Sequence, residues 1–168
     1  MKVQDLTVCS VLTAAALVIF LVEAQIPPIV AIPGIKLGLA NVVTLFALVF
    51  LGRKQALFIL LVRIFLGNLF MGQMMSFFYS LSGGICCFLV MALLLPLFPP
   101  KQLWVCSVFG ALAHNLGQII VAAGILRSWN VFWYLPILEI SAVITGMFTG
   151  LCVQFLEKPL RQWRLRKQ

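Results

Sequence analysis

This sequence predicts an all-helical integral membrane protein: a single transmembrane domain over residues 1–168, folded as a six-helix bundle with both termini cytoplasmic. Three observations carry that prediction. Of the 168 residues, 63% are hydrophobic and only 10% charged, with a mean hydropathy of +1.14, whereas soluble domains are roughly a quarter charged. Six apolar runs follow one another through short breaks, each near the roughly 20 residues needed to cross a ~30 Å hydrocarbon core. With six spans the two ends share a side, and that side collects nine cations: Lys2, Arg53, Lys54, Lys101, Lys158, Arg161, Arg164, Arg166 and Lys167. The opposite side receives only Lys36 and Arg127, so the positive-inside bias makes the first side cytoplasmic.

The formal net charge of +8 is therefore a membrane signature rather than a sign of nucleic-acid binding. Its densest part is the short tail over residues 157–168, where basic residues flank a cytoplasmic lipid surface. The five cysteines (Cys9, Cys86, Cys87, Cys106, Cys152) lie inside apolar runs without a CxxC. With one histidine in the chain, they read as small core residues and not as metal ligands.

The first span covers residues 6–26 and ends at Pro27–Pro28. It is too long for a signal peptide and holds Glu23. Cys9, Thr13, Ala16, Phe20 and Glu23 share one face of it by helical spacing, and Ser10 and Ala14 lie on an adjoining one. An extended, proline-rich loop follows. The second span, residues 35–51, begins within PGIKLGLANVVT (residues 33–44), the stretch around which the chain is organised. Gly34, Gly38 and Asn41 give it a small, polar face that is useful only against neighbouring helices. Arg53–Lys54 makes a tight turn into the third span, residues 56–70, which contains Arg63 and Asn68.

On the fourth span, residues 75–97, Gln73, Ser76, Ser80, Gly83 and Cys87 form a continuous small or polar stripe. The fifth, residues 103–126, carries His114, Asn115 and Gln118. The sixth, residues 131–156, presents Glu139, Ala142, Gly146 and Gly150 on one face. Tyr79, Phe77, Phe78, Trp129, Trp133 and Tyr134 gather toward the outer interface, most of them as an aromatic belt and one or two as lining of the polar cup.

Sorted by depth, nearly all the polar residues fall in the outer half. Glu23 ends the first span there, and Lys36 and Asn41 begin the second. Arg63 and His114 lie near the middle, while Ser76, Ser80, Asn115, Gln118 and Glu139 line the outer parts of the last three spans. A cup open to the outside and closed toward the cytoplasm has this pattern. A charge near mid-bilayer costs on the order of 3 kcal/mol, so Lys36 and Arg63 call for partners, and Glu23 and Glu139 are available. These charges are either ion pairs that hold helices together or contacts to a bound solute. His114 has the same two readings.

Enzymatic chemistry is not expected. The chain has one aspartate, Asp5, and no cluster of carboxylates able to bridge magnesium and a diphosphate. It also has no P-loop and no nucleophile–base pattern. No cofactor is implied, and neither an inverted repeat nor a helix interrupted at mid-membrane is visible.

Five segments in one order carry a family resemblance: PGIKLGLANVVTLFAL, R-x-x-L-G-N-L-x-x-G from Arg63, S-x-x-G-G from Ser80, GALAHNLGQ, and YLPILEISAVITGMFTG. Over about residues 6–156 the chain resembles the Gx transporter family, also labelled heptaprenyl diphosphate synthase component I. That family is similar to the substrate-binding S components of energy-coupling factor (ECF) transporters. The resemblance implies a multi-pass protein of a prokaryotic cytoplasmic membrane. It would capture a small vitamin-like molecule, or a cofactor, quinone or isoprenoid precursor, from outside. Its partners would be a T-type transmembrane protein driven by two ATPases. It also implies a lid over residues 27–34 and places Gly38, Asn41, Arg63, Asn115 and Gln118 in the cup. Ser10, Ala14 and Ala15 approximate the Ala-x-x-x-Ala surface that S components present to the T protein. Two other readings stand beside it: a non-catalytic membrane subunit scaffolding a prenyl, quinone or redox enzyme, and a solitary facilitator.

Overall fold

The computed structural model describes residues 3–25, 36–72 and 74–165. The expected lid over residues 27–34, Gln73 and the terminal cations Lys2, Arg166 and Lys167 lie outside the described residues. All the regular structure described is helical: α1 Val3–Glu23, α2 Asn41–Phe50, α3 Arg53–Met71, α4 Met74–Leu94, α5 Leu103–Leu126 and α6 Leu135–Leu165. Short 3-10 segments, Pro100–Gln102 and Trp129–Tyr134, lead into α5 and α6. Five of the helices are long and apolar enough to cross a membrane. Their outward faces carry Phe58, Leu61, Phe65 and Leu69 on α3 and Ile137, Ile140, Ile144 and Phe148 on α6. Helices apolar on both the packed and the free face suit lipid rather than water, as expected of a multi-pass membrane protein.

The sixth helix, α2, is the exception. It has ten residues, about 15 Å of rise, half of what a span needs. The sequence suggested a full span over residues 35–51. Instead Lys36–Gly38 is non-helical and Gly38 takes φ +81°, a left-handed conformation that a right-handed helix cannot include. The first turn closes only beyond it, through Asn41 N–H to the Gly38 carbonyl at 2.9 Å. A helix thus begins inside the bundle, where the sequence showed no interruption. Short as it is, α2 touches all five other helices, and six of its ten residues are buried.

Two further boundaries moved. Arg53 and Lys54 are not the turn between the second and third helices. Leu51–Gly52 makes it, with Gly52 at φ +94°, and the two cations form the exposed first turn of α3. From there Arg53 Nη2 donates to the Ala92 carbonyl near the end of α4, 3.0 Å away, satisfying an acceptor of a terminal turn. At the other end of the chain, α6 continues through Pro159 to Leu165, so residues 157–165 prolong the helix.

Small residues set the packing. Ser107 Oγ and Thr149 Oγ1 lie 2.9 Å apart across the α5–α6 seam, and Gly146 and Gly150 bring the α6 backbone onto Val108 and Trp104. Across α4–α5, Ser82 donates to the Gly117 carbonyl at 2.8 Å, and Gly110 receives the Met91 side chain. Such close approach substitutes for the hydrophobic drive that lipid removes. The cysteines are all free; Cys86 faces Gly117 while Cys87 is buried toward Gly110.

Candidate functional site: a buried polar cluster at the start of α2

Three of the polar residues come to one level. Asn41 is the first residue of α2, Arg63 lies ten residues into α3, and His114 eleven into α5. Helical rise puts each about 15 Å from the Arg53 end of the bundle. Asn41 therefore sits at mid-height and not at the outer rim where the sequence reading put it, because α2 starts late. Arg63 Nη2 donates to Asn41 Oδ1 at 3.3 Å, and Asn41 Nδ2 lies 3.2 Å from His114 Nδ1. A guanidinium can only donate, so the amide oxygen faces Arg63 and the amide nitrogen must donate to the imidazole. His114 is thereby held neutral, with its proton on Nε2.

Glu23 closes the other side. The carboxylate terminates the α1 face composed of Cys9, Thr13, Ala16 and Phe20, all buried as the spacing indicated. Its Oε1 accepts from Gly38 N–H at 2.5 Å. Lys36 Nζ lies 3.4 Å above the centre of the Phe20 ring, with the Arg63 guanidinium 6.0 Å from the same ring. Gly67 also lies against the ring, since an added Cβ there would meet Phe20 Cδ1 at 2.8 Å. Phe20 is thus a π face offered to two cations. Spacing had placed it beside Glu23, but nothing in the sequence marked it as a cation's partner.

The hydrogen-bonded charge pairs anticipated between Lys36 or Arg63 and the carboxylates do not form. Arg63 and Lys36 both act electrostatically on Glu23. Glu23 is engaged by backbone, and Glu139 Oε2 is buried without a hydrogen-bond partner. Asn115, fully buried, turns toward α6, donating from Nδ2 to the Leu138 carbonyl at 2.6 Å. Gln118 is fully buried and neither amide atom is bonded. It stands one turn from His114, and both side chains lie against Gly83. Ser76 and Ser80 are buried on the α4 stripe together with Gly83 and Cys87. Tyr79, placed in the aromatic belt, is instead buried against α5 and the α6 start with Ile119, Ala122, Val131 and Leu138. Trp129 and Trp133 are exposed, as a belt requires.

Glu23, Lys36, Gly38, Asn41, Arg63 and His114 are therefore brought together, with Gln118 adjoining. Glu139 and the amide nitrogen of Asn115 are not joined to them. Ser10, Ala14 and Ala15 lie exposed on the outer face of α1. An open apolar cleft between α3 and α4, lined by Arg53, Lys54, Leu57, Phe88, Leu89, Ala92 and Leu93, lies at the Arg53 end of the bundle, away from the cluster. Among the described residues no group of three metal-ligating side chains occurs.

Gly38 holds the cluster's geometry. A Cβ there would lie 2.8 Å from Asn41 Nδ2 and 3.0 Å from His114 Cδ2. Gly38→Ala is expected to cost about 1–3 kcal/mol from the left-handed backbone alone and to push Asn41 off Arg63. A thermal melt in detergent checks this, and an unchanged midpoint would contradict it.

Residues 12–156 match the family model described as heptaprenyl diphosphate synthase component I. The chain belongs to that family. No curated protein and no solved structure matches it.

Proposed function

We propose that this family member is a non-catalytic, solute-binding membrane component of the ECF type. It captures a small vitamin-like or precursor molecule from outside and hands it inward to a T-type membrane protein and two ATPases. The observation that carries the reading is the cluster at the start of α2. Four sequence-distant elements supply costly polar groups to one place at mid-height, and several of their polar atoms are buried without a partner. A half-length helix whose positive end begins within the membrane is how transporters commonly meet a solute. The excess of cations at the Arg53 end supports cytoplasmic termini, which puts the cluster in reach of the outer side.

A synthase role for this chain itself has little to stand on. Its four carboxylates, Asp5, Glu23, Glu139 and Glu157, are scattered along the sequence, whereas prenyl transfer needs them clustered around magnesium and diphosphate. The family description does favour a second reading, a membrane subunit that scaffolds a prenyl-transferring enzyme on another chain. Co-purification separates the two. The binding reading expects a stoichiometric small molecule by native mass spectrometry, with T protein and ATPases as companions. A prenyl-transferring enzyme as the stable companion, and no bound solute, would overturn it.

A further inference from the structure

We infer that the cluster holds its solute through an anionic group, a carboxylate or a phosphate, set between Lys36 and Arg63; this rests on the solute-binding reading above. The argument is one of charge balance. Two cations face a single carboxylate, Glu23, and that carboxylate is already bonded to the Gly38 amide. Lys36 Nζ is buried with no hydrogen-bond partner among the described residues and lies over the Phe20 ring. Arg63 is 4% exposed and has five N–H donors to place. Among the described residues it uses one, toward Asn41, and its Nε is unpartnered.

Among the described residues no other acid is bonded to either cation: Glu139 Oε2 is buried without a hydrogen-bond partner, and Asn41 keeps His114 neutral. The positive end of α2 adds charge of the same sign. An uncompensated cation in a low-dielectric interior is strongly unfavourable, and breaking the imbalance takes an anion. One turn along α5, Gln118 offers an amide with both donor and acceptor free, so the solute carries a matching polar edge beside its anionic group.

The test uses the full-length protein in detergent, with inorganic phosphate and benzoate as probes and tetramethylammonium chloride as the cationic control at equal ionic strength. At tenfold saturation either anion is expected to raise the melting midpoint by roughly 3–6 °C for a chain of this size, and tetramethylammonium is expected to do nothing. Lys36→Gln, on the non-helical segment, should abolish the shift, and Arg63→Lys should weaken it. Lys54→Gln, the same charge change at the far end, should keep it.

A shift that survives in Lys36→Gln, or one produced by the cation, overturns the inference. Mass spectrometry of the co-purified solute separates this inference from the reading beneath it. A stoichiometric neutral or cationic molecule leaves solute binding standing and sinks the anion, whereas no bound molecule together with no anion shift sinks both.

Discussion

Gly150→Val is expected to lower the melting midpoint sharply. A Cβ at Gly150 would overlap the Trp104 Cα and lie 2.7 Å from Ser107 Cβ. The obstacle is backbone, which cannot rotate aside as a flexible side chain can. The helices would have to separate, and the 2.9 Å Ser107–Thr149 hydrogen bond beside this contact would open. Overpacking of a rigid contact costs about 1–3 kcal/mol and more where nothing yields. Valine adds methyl groups to that contact, so about 3 kcal/mol is expected, or roughly 6–12 °C in midpoint at this chain length. Gly124→Ala is the control, since nothing lies within 4 Å of a Cβ there. Alanine in that helix should stabilise by up to about 1 kcal/mol. Equal melting of the two variants would refute the account of the α5–α6 seam.

Arg63→Met carries the second large effect, and it bears on function. Methionine keeps much of the length and apolar character of the stem but removes the donor that orients Asn41. The Asn41 carbonyl oxygen then loses its partner, the amide is free to turn, and the imidazole of His114 is no longer fixed in one tautomer. Glu23 loses a nearby cation while remaining 5% exposed. Removing one member of a buried charged set costs about 3–5 kcal/mol. The solute is expected to bind some ten- to a hundredfold more weakly, about 1.4–2.8 kcal/mol. Native mass spectrometry reads the occupancy and a melt reads the stability. A lower midpoint with occupancy unchanged would mean that Arg63 only braces helices.

Much of the bundle was legible in the sequence because helical period is a local property. The α1 face from Cys9 to Glu23, the α4 stripe through Ser76, Ser80, Gly83 and Cys87, and the α6 face of Ala142, Gly146 and Gly150 were read from spacing alone. The α1 and α4 residues and Ala142, Gly146 and Gly150 are buried as the spacing indicates, whereas Glu139, on the same α6 face by spacing, is only half-buried. What spacing does not contain is where a helix begins when no proline marks it. The residue Gly38 fits inside a helical pattern as readily as before one, so the late start of α2 and the mid-height position of Asn41 were invisible.

The amino-acid sequence by itself determined that this chain is a helical membrane protein, which faces are greasy, and which residues are too costly to bury without purpose. Composition and periodicity suffice for that, since lipid imposes the same demand on every turn. Tertiary structure alone decided the partners. Asn41 joins Arg63 to His114, Glu23 takes a backbone amide in place of a cation, Lys36 rests on Phe20, and Asn115 turns away to α6. Each of these contacts links elements distant in sequence, and their directions depend on how six helices cross, which no single helix encodes.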